Sequence, residues 1–486
     1  MNNSILTLAP QSVWHYFNEI LQIPRPSKKE EKIVAYLLDF GKTHQLETLQ
    51  DAIGNVLIRK PATPGMEDRP WVVLQSHIDM VCEKNSDKVH DFDNDPIEAR
   101  IEDGWVKANG TTLGADDGIG VAAQLAILAA NDIAHGPIEC LFTVDEETGL
   151  TGAFGLEPGF LKSKILLNLD SEDEGQLFIG CAGGQDTLAW LPYDYEPAPD
   201  GFKTFEIMVS GLQGGHSGDD INKGRGNANK ILNRFLWENK AELNLKLNQF
   251  DGGNLRNAIA REARATVLIP EEKATAFTEK LEKYRHTCQI EFAINEPDLH
   301  IALAETEMVD VAIDDDSFFA LSNAIYGCPH GVLAMSPTME NFVQTSTNLA
   351  SVKFQDHEIQ LTTSQRSSVE SEKHDATNMV RSVFNLAGCL TKTSDGYPGW
   401  TPNPQSPIVY LSAKLYRELF NQEPEVLAIH AGLECGLIGH KYPEMDMISF
   451  GPTIKGAHSP VERLDIQSTQ KFWDLLIEIL KNIPKT

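Results

Sequence analysis

The sequence contains no run of about 18 apolar residues, so a conventional membrane-spanning helix is not part of its plan. Residues 1–11 have neither a basic start nor an apolar stretch of signal-peptide length. Cysteine is sparse: Cys82, Cys140, Cys181, Cys288, Cys328, Cys389 and Cys435 are scattered, odd in number and without a CxxC pair. That spacing argues against a disulfide framework or a zinc knuckle and reads as reduced thiols in a cytoplasmic protein. No HExxH occurs either, which excludes the thermolysin-like zinc helix. Basic residues are outnumbered, 41 Lys and Arg against 70 Asp and Glu, for a formal net charge of -29. A surface of that sign repels phosphate, so nucleic acid and anionic membrane are poor partners. The same acids serve solubility and are equally able to ligate hard or borderline cations, and the total alone does not separate the two.

At 486 residues the chain exceeds one compact core, and two or three domains are expected. Helical spacing over 14–21 and 30–43 alternates with short strand-like runs at 55–59 and 71–76. A helix is expected over 116–131, and the almost wholly apolar runs 138–144 and 165–169 read as strands covered on both faces. The last ninety residues resume this texture, with helices over 408–420 and 468–483 and strand-like runs near Val426 and Met447. Strands alternating with helices predict an α/β domain, a mixed sheet between helices. Between them the texture changes. Amphipathic strands at 204–209 and 263–269 alternate with helices near 227–237 and 271–284, and a second such succession follows, with helices near 316–326 and 373–387. The division expected is therefore 1–186 and 397–486 for the α/β domain, with 187–396 an inserted α+β domain. The insert has the outline of a doubled unit, although no residue-level repeat supports the duplication. Gly183-Gly184 and the Pro- and Gly-rich stretch 396–407 mark its borders.

Five segments place acids or histidines where apolar strands end, the usual location of sites in open α/β sheets. The first strand delivers His77 and Asp79, which point the same way on an extended chain. A carboxylate beside a ligating imidazole fixes its tautomer, but a strand-end His-x-Asp with no role reads the same. Asp116 and Asp117, flanked by Gly114 and Gly118 before a helix, fit either helix caps or a carboxylate bridging two metals. Asp145-Glu146-Glu147 closes the apolar run 138–144. Three consecutive acids there repel one another unless a cation is present or the turn is solvated. Asp170 closes the run 165–169, and His458 lies in the small-residue loop Gly456-Ala457-His458-Ser459-Pro460. Together these supply imidazoles and carboxylates without thiolate, a donor set suited to zinc, manganese or cobalt in a hydrolytic site.

The segments SHIDMVCEKN, GTTLGADDGIGVA, TVDEETGLTGA, NLDSEDEG, GCAGG, GLQGGHSGDDI, RGNANK, NAIARE, IHAGLECG and GAHSPVER occur in this order along nearly the whole chain. In them the sequence resembles the co-catalytic zinc peptidases of the aminoacylase and glutamate-carboxypeptidase superfamily, and within it the bacterial dipeptidases. The resemblance implies a zinc-peptidase catalytic domain with an inserted α+β lid. It implies two Zn2+ per chain, for which Co2+ or Mn2+ can substitute. One metal would be held by His77 and Asp170, the other by Glu147 and His458, with Asp116 bridging. Glu146 would be the general base, and Asp79 would orient His77. A cis peptide is implied between Asp116 and Asp117. In the lid, His216 would stabilise the oxyanion, Asn257 and Arg366 would clamp the substrate's carboxylate, and Gly432 would offer backbone contact. A phosphate loop at Gly215-His216-Ser217-Gly218 is the competing reading, but no Lys-Ser/Thr follows it. Glu434 is a candidate for the amine end of the substrate.

The expected reaction is metal-dependent hydrolysis of unblocked dipeptides, Xaa-His dipeptides and carnosine among them, in a cytoplasmic homodimer. Sibling activities on the same metal core are a tripeptide aminopeptidase, a carboxypeptidase and an N-acyl amino-acid deacylase. A catalytically dead metal- or peptide-binding relative is disfavoured by the presence of both Glu146 and Asp79.

Overall fold

The computed structural model describes residues 4–485. The chain divides into two compact units, Met1–Cys181 with Trp400–Ala428 and Leu433–Thr486, and Ala182–Gly399 with Ile429–Gly432.

The first unit is built on an eight-stranded sheet. Its spatial order is Glu47–Gln50, Val56–Lys60, Ile138–Thr143, Val72–His77, Ile165–Asn168, Asp446–Ser449, Gln176–Cys181 and Glu425–Ile429. The strands Ile138–Thr143, Val72–His77, Ile165–Asn168 and Asp446–Ser449 run parallel to their neighbours in that series, while Val56–Lys60 joins antiparallel to Ile138–Thr143. Both Val72–His77 and Ile138–Thr143 are buried at every position, so their apolar residues cluster instead of alternating, and the buried polar Gln75 and Glu139 are held by hydrogen bonds. The helix Ala115–Ala129, rich in Ala, Leu and Ile, lies against Val72–His77 and against the N-terminal helix Gln11–Leu21. Pro407–Phe420 packs on Asp446–Ser449 and on the closing helix Ile466–Asn482, which Asp465 caps by accepting from the Ser468 amide at 2.6 Å. A four-stranded sheet joins Ile454–Lys455, Arg463–Asp465, Trp105–Ala108 and Ala99–Glu102, and the hairpin of its first two strands carries His458.

The second unit holds a nine-stranded antiparallel sheet, eight of whose strands follow one path. In space they run His300–Thr306, Phe202–Ser210, Ala263–Pro270, Lys246–Gly252, then Val343–Gln355, Glu358–Ser367, Gly183–Pro192, Leu390–Thr393. Each half reads fourth, first, third, second strand from its outer edge inward, and the halves meet where Asp251 and Gly252 pair with Lys353 and Val352. The two halves are nested in the chain: Gly183–Pro192 opens the second half but precedes all of the first, a departure from the consecutive order expected from the sequence. Two helices are also longer than their apolar spacing suggested. Ala228–Leu243 continues past Trp237, with Asn239 and Leu243 buried on its inner face, and it stops where Asn244 adopts a left-handed conformation. Ala274–Glu291 runs on to Glu291, with Cys288 buried in its last turn.

Six of the seven cysteines are buried, and all are free thiols. Among the described residues no helix is long and apolar enough to cross a membrane.

Candidate metal centre and substrate-binding residues

At the ends of the parallel strands, two histidines and four carboxylates converge. His77 Nε2 lies 3.0 Å from Asp116 Oδ1 and 3.4 Å from Asp170 Oδ1. His458 Nε2 lies 3.1 Å from Asp116 Oδ2 and 3.0 Å from Glu147 Oε2. The two oxygens of Asp116 thus face different imidazoles. The donor atoms of His77, Asp116 and Asp170 fall within 4.8 Å of one another, as do those of Asp116, Glu147 and His458, and those of His77, Glu146 and Glu147. Of the adjacent aspartates, Asp117 takes the capping role: its Oδ1 accepts from the Gly120 amide at 3.1 Å. The peptide between Asp116 and Asp117 is cis.

The electrostatics of the cluster are those of a place built for cations. Burial opposes charge on Asp116, yet hydrogen bonds from His458 and His77 hold it well below the usual carboxylate range. Hydrogen bonds to Asp116 and Glu147 push His458 up to about 11. Burial disfavours charge on His77, but Asp170 and Asp116 overcome it and raise its pKa. Burial raises Asp170 and Glu146, with His77 opposing the rise in both. Among the described residues Glu147 Oε1, which is buried, has no hydrogen-bond partner. An orphaned carboxylate oxygen beside an imidazole fits a divalent cation, so the residues present suit the metals that the resemblance implies.

Asp79 is fully buried and does four things at once. Its Oδ1 lies 3.3 Å from His77 Nδ1 and accepts from the Glu146 amide at 3.0 Å. Its Oδ2 accepts from Ser27 Oγ at 2.7 Å and from the Glu147 amide at 3.2 Å. The acids after Val144 form a short helix, Glu146–Gly149, with Asp145 in a left-handed conformation before it. A further acidic group, Glu30, Asp79 and Asp145, is accounted for by bonds within the protein: Glu30 Oε1 accepts from the amides of Lys28 and Asp145 at 2.9 and 3.0 Å.

Arg25 and Glu462 were not singled out from the sequence, whereas Glu434 was a candidate for the substrate's amine end. Arg25 donates to the carbonyls of Ile78, Asp79 and Gly114 at 3.0, 2.6 and 2.5 Å. Glu434, fully buried and raised to about 7 by burial, accepts from Gln75 at 2.5 Å and Thr143 at 2.8 Å. Gln75 in turn accepts from Asn168 at 2.6 Å, so the strands bearing His77, Glu147 and Asp170 are cross-linked just below the cluster. Glu434 therefore faces strand-end side chains, and its other oxygen is buried with no partner among the described residues. Glu462 accepts from backbone amides of the turn that carries Asp116.

In the second unit, His216 and Arg366 are neighbours: Nε2 and Nη2 lie 3.5 Å apart. His216 Nδ1 lies 3.3 Å from Asp219, whose pKa it lowers. Arg366 is buried and donates to the Tyr397 hydroxyl at 3.1 Å, and its Nε has no partner among the described residues. Gly432 packs on the same Tyr397, whose ring lies 2.8 Å from where a Cβ would stand. Asn257 is exposed, and its carbonyl accepts from the Ser217 amide at 2.8 Å. His430, lowered to about 3 by burial and by Arg366, shares a 2.7 Å hydrogen bond with Ser346. Tyr397, Asp219 and His430 were not singled out from the sequence. Only the segment IHAGLECG hinted at the last.

A parallel-centred sheet whose strand ends gather imidazoles and carboxylates defines a metal-dependent hydrolase. The chain belongs to peptidase family M20/M25/M40, whose sequence profile matches residues 73–482. It is 46% identical over 480 residues, 98% of each chain, to the cytosol non-specific dipeptidase of Escherichia coli strain K12. The crystal structure of an aminoacylhistidine dipeptidase from Vibrio alginolyticus superposes with a TM-score of 0.95 at 44% identity, covering 100% of this chain and 99% of that one. A tripeptidase from Staphylococcus aureus shares the fold at 16% identity, with a TM-score of 0.57 over 98% of this chain and 99% of that one.

Proposed function

We propose that the protein is a cytoplasmic dinuclear zinc dipeptidase that hydrolyses unblocked dipeptides, Xaa-His dipeptides and carnosine among them. The observation that carries this reading is Asp116, whose two oxygens each face the Nε2 of a different histidine. His77 and Asp170 would hold one metal, Glu147 and His458 the other, and Asp116 both. Zinc suits this all-nitrogen-and-oxygen set, and cobalt or manganese can substitute. Such a pair would supply Lewis acidity, lowering the pKa of the attacking water and polarising the scissile carbonyl.

The remaining chemistry belongs to the chain. Glu146 takes the proton from the attacking water and delivers it to the leaving amine. Asp79 holds His77 in orientation and, by accepting from the amides of Glu146 and Glu147, sets the first turn of the helix that presents them. In the second unit His216 donates to the developing oxyanion. Arg366 and Asn257 bind the substrate's C-terminal carboxylate, for which a guanidinium fork is well shaped, and Gly432 offers its backbone.

The names of the two similar dipeptidases support the substrate class, and the retained free thiols support the cytoplasm. The resemblance supports a homodimer, which sedimentation equilibrium decides. The test of the substrate is a panel of free dipeptides, acetylated dipeptides and tripeptides with zinc-loaded protein. Hydrolysis confined to free dipeptides is the expected outcome. Tripeptides or acetylated substrates cleaved equally well would transfer the assignment to a tripeptide aminopeptidase or a deacylase.

A further inference from the structure

We infer that Glu462 is a positioning residue for the bridging carboxylate, holding the turn that delivers Asp116 at the spacing both metals require. The inference rests on the metal-site reading above. Glu462 is 2% exposed, and its carboxylate collects four consecutive backbone amides from a segment some 350 residues away. Oε2 accepts from Leu113 at 2.6 Å and Gly114 at 3.0 Å, and Oε1 from Ala115 at 2.8 Å and Asp116 at 3.4 Å.

The turn needs an outside brace. The first amides of a helix have no partners within it, and Gly114, which precedes this helix at φ 70°, has no side chain with which to cap them. Asp116 and Asp117 themselves have non-helical backbone angles, so the helical bonding pattern does not hold them. A Cβ at Gly114 would come 2.6 Å from Arg25 Nη2, so no capping side chain fits at that position. Glu462 supplies from another segment the anion that such a nest of amides favours.

The placement of that segment gives the brace its consequence. Glu462 lies four residues after His458, and its own amide closes a turn by donating to the Ser459 carbonyl at 3.0 Å. One short loop therefore carries a ligand and grips the turn of the bridging ligand, tying His458 to Asp116. On the opposite flank Arg25 joins the Gly114 carbonyl to those of Ile78 and Asp79, just past His77. Both histidines are thus referenced to Asp116 through the backbone as well as through its carboxylate.

Glutamine at this position keeps the shape but offers one acceptor oxygen, and its NH2 would face amide donors. With Glu462→Gln, zinc titration of the stripped full-length chain against a chelating dye should show affinity falling by about 10–100-fold for both equivalents. On the zinc-loaded protein kcat should fall while KM for a dipeptide is unchanged. Affinity within twofold of the unaltered chain at both equivalents, with only a lower melting temperature, would overturn the inference. Failure of the unaltered chain to bind zinc would instead remove the metal-site reading. Should the variant not fold, hydrogen exchange on the unaltered metal-free chain still decides: the amides of Leu113, Gly114, Ala115 and Asp116 should be protected, and exchange at open-loop rates would refute the brace.

Discussion

Replacing Glu146 by glutamine separates two roles that the geometry assigns to one carboxyl. As a general base it should account for about 10²–10⁴ of the rate, or about 2.7–5.4 kcal/mol of transition-state stabilisation at 1.36 kcal/mol per tenfold. As a charge in the metal-free protein it is a burden. Its donor atom lies within 4.8 Å of those of Glu147 and His77. At an effective dielectric near 20, two like charges at that separation repel by about 3.5 kcal/mol, and the His77 cation offsets a similar amount. Burial, with Asp170, Glu434 and Glu147 adding to it and His77 opposing, raises the Glu146 pKa well above 4.5. A raised folded pKa means that the folded chain holds this proton more tightly than the unfolded chain. The resulting stability is full below the unfolded value and is lost as pH rises through the folded one. Glutamine has no proton to lose. Metal-free Glu146→Gln should therefore match the parent in urea denaturation at pH 4 and exceed it at pH 8, because the His77 attraction cancels one such repulsion while burial and the Asp170 and Glu434 charges stay uncompensated. Zinc content should be kept and kcat lost. A variant with zinc bound and kcat within tenfold of the parent would refute the base assignment. One less stable than the parent at pH 8 would refute the electrostatic account.

Three further outcomes follow from the same contacts. Arg366→Lys loses the planar fork and its bond to Tyr397, so KM for dipeptides should rise about 10–100-fold with kcat nearly kept, in steady-state kinetics. Asp79→Asn removes the negative charge beside His77 Nδ1 and leaves one acceptor oxygen for contacts that two now share, including those to the Glu146 and Glu147 amides. Its zinc affinity should fall about 10–100-fold in chelator competition, with little change in KM. Stripping the metals should abolish turnover and lower the denaturation midpoint. Zinc at about a thousand times its dissociation constant should restore about 4 kcal/mol per site, read by thermal or urea melts.

What the sequence could and could not show follows from the range of the interactions. Strand period and burial are local, so the ends of Val72–His77, Ile138–Thr143 and Ile165–Asn168, and the acids beyond them, were visible as apolar runs meeting charge. Alternation alone placed His77 and Asp79 on one side, where the structure has them 3.3 Å apart. The adjacent pair Asp116 and Asp117 was ambiguous for a physical reason: both residues suit a helix start, and only the left-handed Gly114 and the turn after it decide which one caps. Asp117 bonds to the Gly120 amide, and Asp116 is left to face the histidines. The nested order of the second unit was hidden because a strand at 183–192 carries no mark of pairing with one at 358–367, and nothing local says that a whole half-sheet intervenes. Glu462 is the plainest case. A glutamate four residues past a histidine in a loop reads as solvated surface, and nothing near it in sequence needs four hydrogen bonds. Its meaning arises at a turn some 350 residues earlier, where backbone amides lack partners. Propensity and periodicity describe what a segment does for itself; a buried anion that completes another segment's hydrogen bonding becomes visible only when the fold brings the two together.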